Sequence, residues 1–504
     1  MRYFIVPAAA LAALLASTAA FAQSADKLTW SAGSQVGNLD INSSLEGTSR
    51  RLLKGNVGEG LTKVVITDGK LSWVPWLSTS WEQVEKTRWR FKLRSDVKFS
   101  DGKPMTAQDV IFSVNKIADP ASGKTSILNN IASAVKVDDQ TVDIITKSPD
   151  FFVYRAVAEI VIQPDGWGKI DPKKAGETLV GTGPYTLASV SGGRDLATLT
   201  RNDAYWGQKP FFDEIDLRVI PDSGARLAAL NAGEVDVAFD LAPDLAQAAP
   251  ASLTTPATEV DILRINALNP PLNDVRVRQA LNYAVDQKVL TDNIRLGFAG
   301  LPNGQSVTKP VHGYNPDIKD YGYDPEKAKA LINETGANGA TINLMCPSEY
   351  YGQVGVDTCQ TLQADYQAIG LTVNLQFLPH DRWIKEGLLA PQNKLTPPDL
   401  FYIQAGSETL DATPQIRNYF TCGTDRSTIC DQELAESAKS ALSLSDEKQQ
   451  AQAYQEVMAL AHDKAAFVWL TNPSTVVAVG KDIRGPIYNE GSTVYWADWS
   501  RATD

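Results

Sequence analysis

Histidine is scarce in this chain of 504 residues: His312, His380 and His462 are the only three. Standing far apart, they offer neither the ligand spacing of a zinc site nor a Ser/His/Asp constellation, and no G-x-S-x-G elbow exposes a nucleophile. Cysteine is nearly as sparse. Cys346, Cys359, Cys422 and Cys430 are the four, and none forms a C-x-x-C pair, which removes thiolate metal sites and dithiol redox chemistry. Positive charge is short as well: 47 Lys and Arg against 59 Asp and Glu leave a net charge of -12. With no basic cluster to offset that balance, a nucleic-acid partner is excluded, since its phosphates would be repelled. After the N-terminal segment no apolar run approaches the roughly 20 residues that a membrane span requires. Ser122-Gly123-Lys124-Thr125 looks like the end of a phosphate-binding loop, but Ala118 stands where the first glycine is needed and no strand leads into it. The chain thus lacks every common catalytic constellation. The expectation is a protein that is not an enzyme and carries no cofactor and no metal.

What is present begins with an address label. Arg2 supplies a positive start, Ile5 to Ala16 an apolar core, and Ala20-Phe21-Ala22 a cleavage site before Gln23, so residues 1–22 read as a signal peptide. No Cys stands at the cleavage point to take a lipid. A soluble exported protein in a bacterial periplasm is expected, where disulfides are permitted. Four Cys allow three pairings; Cys346–Cys359 with Cys422–Cys430 is favoured because both close short local loops. The composition, 43% hydrophobic and 21% charged, is that of an ordinary globular protein. At this length one core does not suffice, so two or three domains are expected.

The stretch Asn266 to Asp286 organises the rest. Ile262, Leu263 and Ile265 read as the end of a strand, and Pro270-Pro271 stops any ladder because neither residue has an N–H to donate. Asp274 is placed to cap a helix whose apolar positions are Val277, Ala280, Leu281 and Ala284, with Arg276 and Arg278 off that face. One unit ends here and another begins. Elsewhere Trp89 to Leu93 alternates as a half-buried strand, Asp101-Gly102 is a turn, and Thr106 with Asp109 forms a capping box. Ile215, Leu217 and Val219, a helix from Arg226 to Gly233, and Val235 to Phe239 give strand, helix, strand. Ile342 to Leu344, Val356 to Ile369 and Leu371 to Phe377 repeat that succession, which implies layered α/β units. Asp399 to Ile403 reads as a buried strand, Ser445 to Asp463 as a long amphipathic helix, and Ala466 to Leu470 as another strand.

Several stretches carry a family resemblance. They are Gly58-Glu59-Gly60-Leu61, Lys98 to Val110, Gly181-Thr182-Gly183-Pro184-Tyr185, Arg201 to Gly207, the crossover at Asn266 to Asp286, and Asp324 to Ile332. Together they resemble the extracellular solute-binding proteins of family 5, the peptide, nickel and opine receptors of ABC transporters. The resemblance implies an α/β, two-lobed periplasmic-binding-protein fold (type II, cluster C) with an extra subdomain in the first lobe. The implied division is 23–55, 178–264 and 474–504 for the first lobe, 56–177 for the extra subdomain, and 265–473 for the second lobe. Tyr185 and Trp206 are expected in the core. Function follows as capture of a small solute by hinge closure and its delivery to a membrane permease, by a monomer that does not insert in the membrane.

Candidate site residues come from the same resemblance. Glu349, Tyr350 and Tyr351 stand where peptide-binding relatives carry Arg-Pro-Tyr, whose guanidinium grips the ligand's carboxylate. A carboxylate at Glu349 reverses that charge. The bland alternative is a shifted loop with Glu349 merely solvated. Glu408 falls at an acid that receives the ligand's ammonium group, and Asp411 at the aspartate of a turn, with a capping role as its alternative. His380 aligns near a pocket Trp and Trp383 lies one helical turn later; stacking on the ligand and buried packing are equal readings. Asn38, in the turn Gly37 to Asp40, and Thr48 stand where the first lobe of relatives touches ligand. Two acids in one enclosed pocket call for a cationic group on the solute. A peptide leads, with an opine, a polyamine-like compound or an oligosaccharide as alternatives; nickel is disfavoured because no set of soft ligands exists.

Overall fold

Apolar side chains follow one another along Val260, Ile262, Leu263 and Ile265, all fully buried. Because successive strand residues point to opposite faces, this pattern demands a sheet covered on both sides. In the computed structural model it is. The model describes residues 27–502 apart from 41, 43–46, 68–69, 120–127, 129, 169–178, 256, 349, 408–409, 425 and 489–492. The expected signal peptide, Glu349 and Glu408 lie outside the described residues.

A mixed seven-stranded sheet runs in the order Ala251–Thr254, Val476–Val479, Val237–Ala238, Lys27–Ala32, Glu214–Val219, Leu196–Arg201, Tyr185–Ser191. Lys27–Ala32 is parallel to both its neighbours. Its core gathers Trp30, Phe239, Trp496 and Trp499. A six-stranded sheet runs Ala299–Gly300, Phe467–Pro473, Glu259–Ile265, Leu400–Gly406, Thr341–Pro347, Thr372–Leu378. One face of it carries Ile262, Phe401, Ile403, Phe467 and Trp469 into a core shared with the helices Gln432–Ser443 and Glu447–Asp463. The other carries Leu263, Leu400, Tyr402, Val468 and Leu470 against Val275–Tyr283, Pro325–Glu334 and Gly352–Ala368. An antiparallel four-stranded sheet, Ser78–Glu85, Arg88–Leu93, Thr141–Thr146 and Ile131–Asp138, makes a third core with the helix Ala107–Ala118. Thr106 and Asp109 cap that helix reciprocally, as the sequence indicates.

Two readings need correction. The strand Glu259–Ile265 pairs with Leu400–Gly406 and Phe467–Pro473, so it belongs to the second sheet, and the chain crosses over before it rather than after it at Asn266 to Asp286. The chain passes between the sheets twice, after Thr254 and after Pro473. The two passages are bonded to each other: the Thr255 N–H donates to the Thr475 carbonyl at 3.1 Å, and the Thr475 N–H to Thr255 Oγ1 at 3.2 Å. Arg278, expected on the solvent face of its helix, is 5% exposed. Its guanidinium donates to the carbonyls of Leu272, Asn273, Lys464 and Ala465, which lie at a loop and at the end of the helix Glu447–Asp463, where carbonyls lack intrahelical partners. Arg276 does face outward and pairs with Asp274 at 2.7 Å. Both disulfides are the favoured pairs, Cys346–Cys359 and Cys422–Cys430.

Three of the sequence motifs meet at one buried group. Glu59 is fully buried and accepts from Tyr205 Oη at 2.7 Å, Thr182 Oγ1 at 2.7 Å and Trp206 Nε1 at 3.1 Å. Burial pushes its carboxyl up to about 7, against the pull of those three donors. Gly181 and Gly183 are needed beside it, because a Cβ at either would collide with the backbone of Val57 or Asn56. Tyr185 is core, its hydroxyl donating to the Phe212 carbonyl at 3.1 Å.

Candidate functional site

Thr341–Pro347 and Thr372–Leu378 are parallel neighbours, and Thr341–Pro347 is parallel to Leu400–Gly406. Their carboxyl ends therefore share one edge of the six-stranded sheet, the edge where open α/β sheets bind ligands. Three loops leave from that edge. The first carries Tyr350 and Tyr351 into the helix Gly352–Ala368. The second breaks at Pro379 and starts the short helix His380–Trp383. The third follows the end of Leu400–Gly406 and leads to the helix Thr413–Tyr419.

The first two loops meet as a ladder of rings. Tyr350 stacks on His380 at 4.6 Å and on Trp383 at 5.6 Å, and Trp383 stacks on Phe401 at 5.1 Å. Exposure divides their roles: Tyr350 is 58% exposed while Trp383 is 2% exposed. Tyr350 offers a flat surface, and Trp383 is its foundation, the packing alternative. Beyond Phe401 the strand Leu400–Gly406 has no strand partner on that side among the described residues. There the Gln404 N–H donates to the Tyr351 hydroxyl at 3.0 Å.

These groups border two adjoining cavities. The larger, about 710 Å³, lies between the sheets: Pro221, Arg226 and Asp240 come from the first, and Glu259, Arg295 and Gln404 are among those from the second, with Thr475 of the hinge. The smaller, about 230 Å³, is walled by His380, Trp383, Gln415, Asn418 and Arg426. Tyr350, Tyr351 and Gln404 line both. Around the larger cavity the cations are already engaged. Arg226 donates to the carbonyls of Ile220, Pro221, Phe239 and Asp240, and burial lowers its pKa. Arg295 pairs with the buried Asp261 at 2.5 Å. Asp240 takes a bidentate bond from Arg51, at 2.8 and 3.0 Å, and against the pull of desolvation that cation holds its carboxyl below the usual range.

Of the residues expected at a site, the structure brings together Tyr350, Tyr351, His380 and Trp383. Asn38 and Thr48 line neither cavity. The Asn38 side chain accepts the Asp40 N–H at 2.9 Å in its own turn, and Thr48, fully buried, shares a hydrogen bond with Ser34 at 2.8 Å. Asp411 borders a third, much smaller cavity of about 40 Å³, shared with Asp150 and Phe152. The sequence reading missed Arg226, Asp240, Glu259, Arg295 and Gln404. Asp240 and Gln404 stand at or just past a strand's carboxyl end, a position that could have flagged them. Among the described residues no group of His, Cys, Asp and Glu is arranged to hold a metal ion.

The family model for bacterial extracellular solute-binding proteins, family 5, matches residues 72–427. The chain belongs to that family. The dipeptide-binding protein of Escherichia coli (strain K12) is 26% identical over 456 residues, covering 82% of this chain and 83% of that protein. Among solved structures, the periplasmic binding protein DppA from Helicobacter pylori in complex with the peptide STSA superposes with a TM-score of 0.76 at 21% identity, over 95% of this chain and 98% of its own. AgaA from A.tumefacien R10, in complex with agropinic acid, gives 0.76 at 24% identity, over 95% and 99%. Both likenesses show the two-lobed fold. These relatives are binding proteins.

Proposed function

We propose that this family 5 solute-binding protein captures a peptide or peptide-like solute, cationic solutes included, between its lobes, and hands it to the permease of an ABC importer. The observation that carries this reading is the cavity of about 710 Å³ with walls from both sheets and a hinge residue, next to the exposed face of Tyr350. A volume of that order suits a small ligand, and a ring face with a few fixed polar groups is how such sites orient one. Hinge closure about the paired segments at Thr255 and Thr475 brings the walls together. The division proposed on this reading is 27–55, 179–255 and 474–502 for the first lobe, 56–168 for the insert, and 257–473 for the second lobe.

A cationic group on the solute is supported by the engaged state of Arg226 and Arg295 around the larger cavity. It is supported further by Glu349 in place of a relative's arginine, and by Glu408. Replacement Glu349→Arg then weakens binding; unchanged affinity removes Glu349 from the site. An opine, a polyamine-like compound or an oligosaccharide is the alternative, and agropinic acid in a protein of like fold keeps the opine in view. The reading includes a cleaved signal peptide, a periplasmic location and a monomer.

The test is a thermal-shift panel of peptides, opines, polyamines and oligosaccharides. A ligand at about 100 times its Kd adds roughly 2.7 kcal/mol of stability. A shift with one class and none with the others supports capture and names the solute; turnover of the compound instead of binding contradicts it.

A further inference from the structure

The insert has no part in the site described above, yet it touches the second lobe away from the hinge. Arg155, in the short helix Val153–Ala156, donates from Nη1 to the Leu410 carbonyl at 2.8 Å. Its guanidinium lies 3.8 Å from the Phe152 ring centroid and 4.9 Å from that of Trp73. Those rings hold the guanidinium beside its acceptor. Beside it Phe152 meets the His312 ring edge-on at 4.8 Å, and Leu71 and Trp73 pack against the second lobe's core.

The receiving loop is set in an unusual conformation. Leu410 has φ of 50°, in the left-handed region that a residue with a branched side chain keeps only where its surroundings hold it. Its carbonyl accepts a second donor, the His312 N–H, at 2.8 Å. Ser407 Oγ closes the loop, donating to the Asp411 carbonyl at 2.7 Å and accepting the Asp411 N–H at 2.9 Å. The helix Thr413–Tyr419 follows directly and is a shared wall. Gln415, Asn418 and Tyr419 line the smaller solute cavity, whereas Thr413 and Arg417 line the cavity against the insert, and Pro414 borders both.

We propose that Arg155 is a positioning residue for solute capture, latching the insert onto the Leu410 loop when the lobes shut and so setting how long they stay shut, without touching the solute. The proposal rests on the hinge closure of the capture reading and gives the insert a task within it. A charged donor lost from a neutral carbonyl changes such an equilibrium by about tenfold or more. Arg155→Ala therefore lowers the ratio of closed to open protein about tenfold. Arg155→Lys keeps the charge but not the flat stack on Phe152 and Trp73, and gives an intermediate ratio.

Closure is read directly by single-molecule energy transfer between dyes on Asp139→Cys in the insert and Asp463→Cys in the second lobe. Those two side chains are 93% and 79% exposed, and no native thiol competes, because all four cysteines are in disulfides. The protein is stripped of solute by unfolding and refolding, and its circular dichroism and melting confirm the fold of each variant. The expected closed population is largest with the native arginine, smaller in Arg155→Lys and smallest in Arg155→Ala. The same ratio in all three proteins, or a single open population in the unsubstituted one, overturns the proposal. Should Arg155→Ala not fold, the Arg155→Lys comparison decides. The readout needs no solute, so its failure is separable from an empty thermal-shift panel.

Discussion

Replacing Glu59 by Gln separates the cost of a buried charge from the value of the hydrogen bonds around it. The unperturbed carboxyl titrates at 4.5 and the folded one at about 7. Folding therefore favours the protonated form: stability from this group is fully present below the unfolded value and is lost as pH rises through the folded one. The difference in pKa corresponds to about 2.5 kcal/mol lost between pH 5 and pH 8. Glutamine keeps the shape without the titration. The Trp206 N–H cannot be turned, so the amide oxygen is fixed on the Trp206 and Thr182 side and the NH₂ faces the Tyr205 hydroxyl, which can accept. The mismatch is then small and independent of pH, about 1 kcal/mol. Urea unfolding of both proteins at pH 5 and pH 8, followed by tryptophan fluorescence, measures the difference. Glu59→Gln is expected to be slightly less stable than the wild type at pH 5 and more stable by about 2 kcal/mol at pH 8. A difference that does not move with pH refutes the reasoning.

The other expectations concern the site and its supports. Tyr350→Ala removes the exposed end of the ring ladder while leaving Trp383 on Phe401, so solute affinity falls about tenfold with little change in melting, as the thermal-shift assay reads. Replacing Cys422 and Cys430 together by Ser opens a short loop that carries Arg426 to the smaller cavity; the loss is about 2.5 kcal/mol of stability by chain entropy, measured by urea unfolding. Burial pushes the Asp411 carboxyl up to about 6, so its share of stability is present below pH 4 and lost as pH rises through 6. Asp411→Asn flattens that limb of the pH–stability curve, and an unchanged limb rejects the assignment.

Local pattern made most elements legible. The strand end at Ile262 to Ile265, the Asp274 cap of the helix beyond it and the Thr106/Asp109 capping box all appear as read. Sheet membership was not, because a strand's partners lie far along the chain: Glu259–Ile265 pairs with residues more than a hundred positions away, and nothing within the strand says so. Arg278 misled for a similar reason. Its spacing put it on the polar face, but the carbonyls it satisfies belong to a loop and to a distant helix end. At the site, Tyr350, Tyr351, His380 and Trp383 were reachable through the family resemblance, which puts them just after strands that the sequence also shows. Arg226 and Arg295 were not, since their roles depend on nearby carbonyls and on the Asp261 carboxylate, and no spacing in the sequence marks those pairings.

The claim most in need of a direct test is that one solute touches both lobes at once. Hydrogen–deuterium exchange, with the solute identified by the thermal-shift panel, reads both walls in one experiment. The account predicts simultaneous protection of 239–243 in the first lobe and of 350–354 with 404–406 in the second. Protection confined to a single lobe, or to neither wall of this cleft, contradicts it.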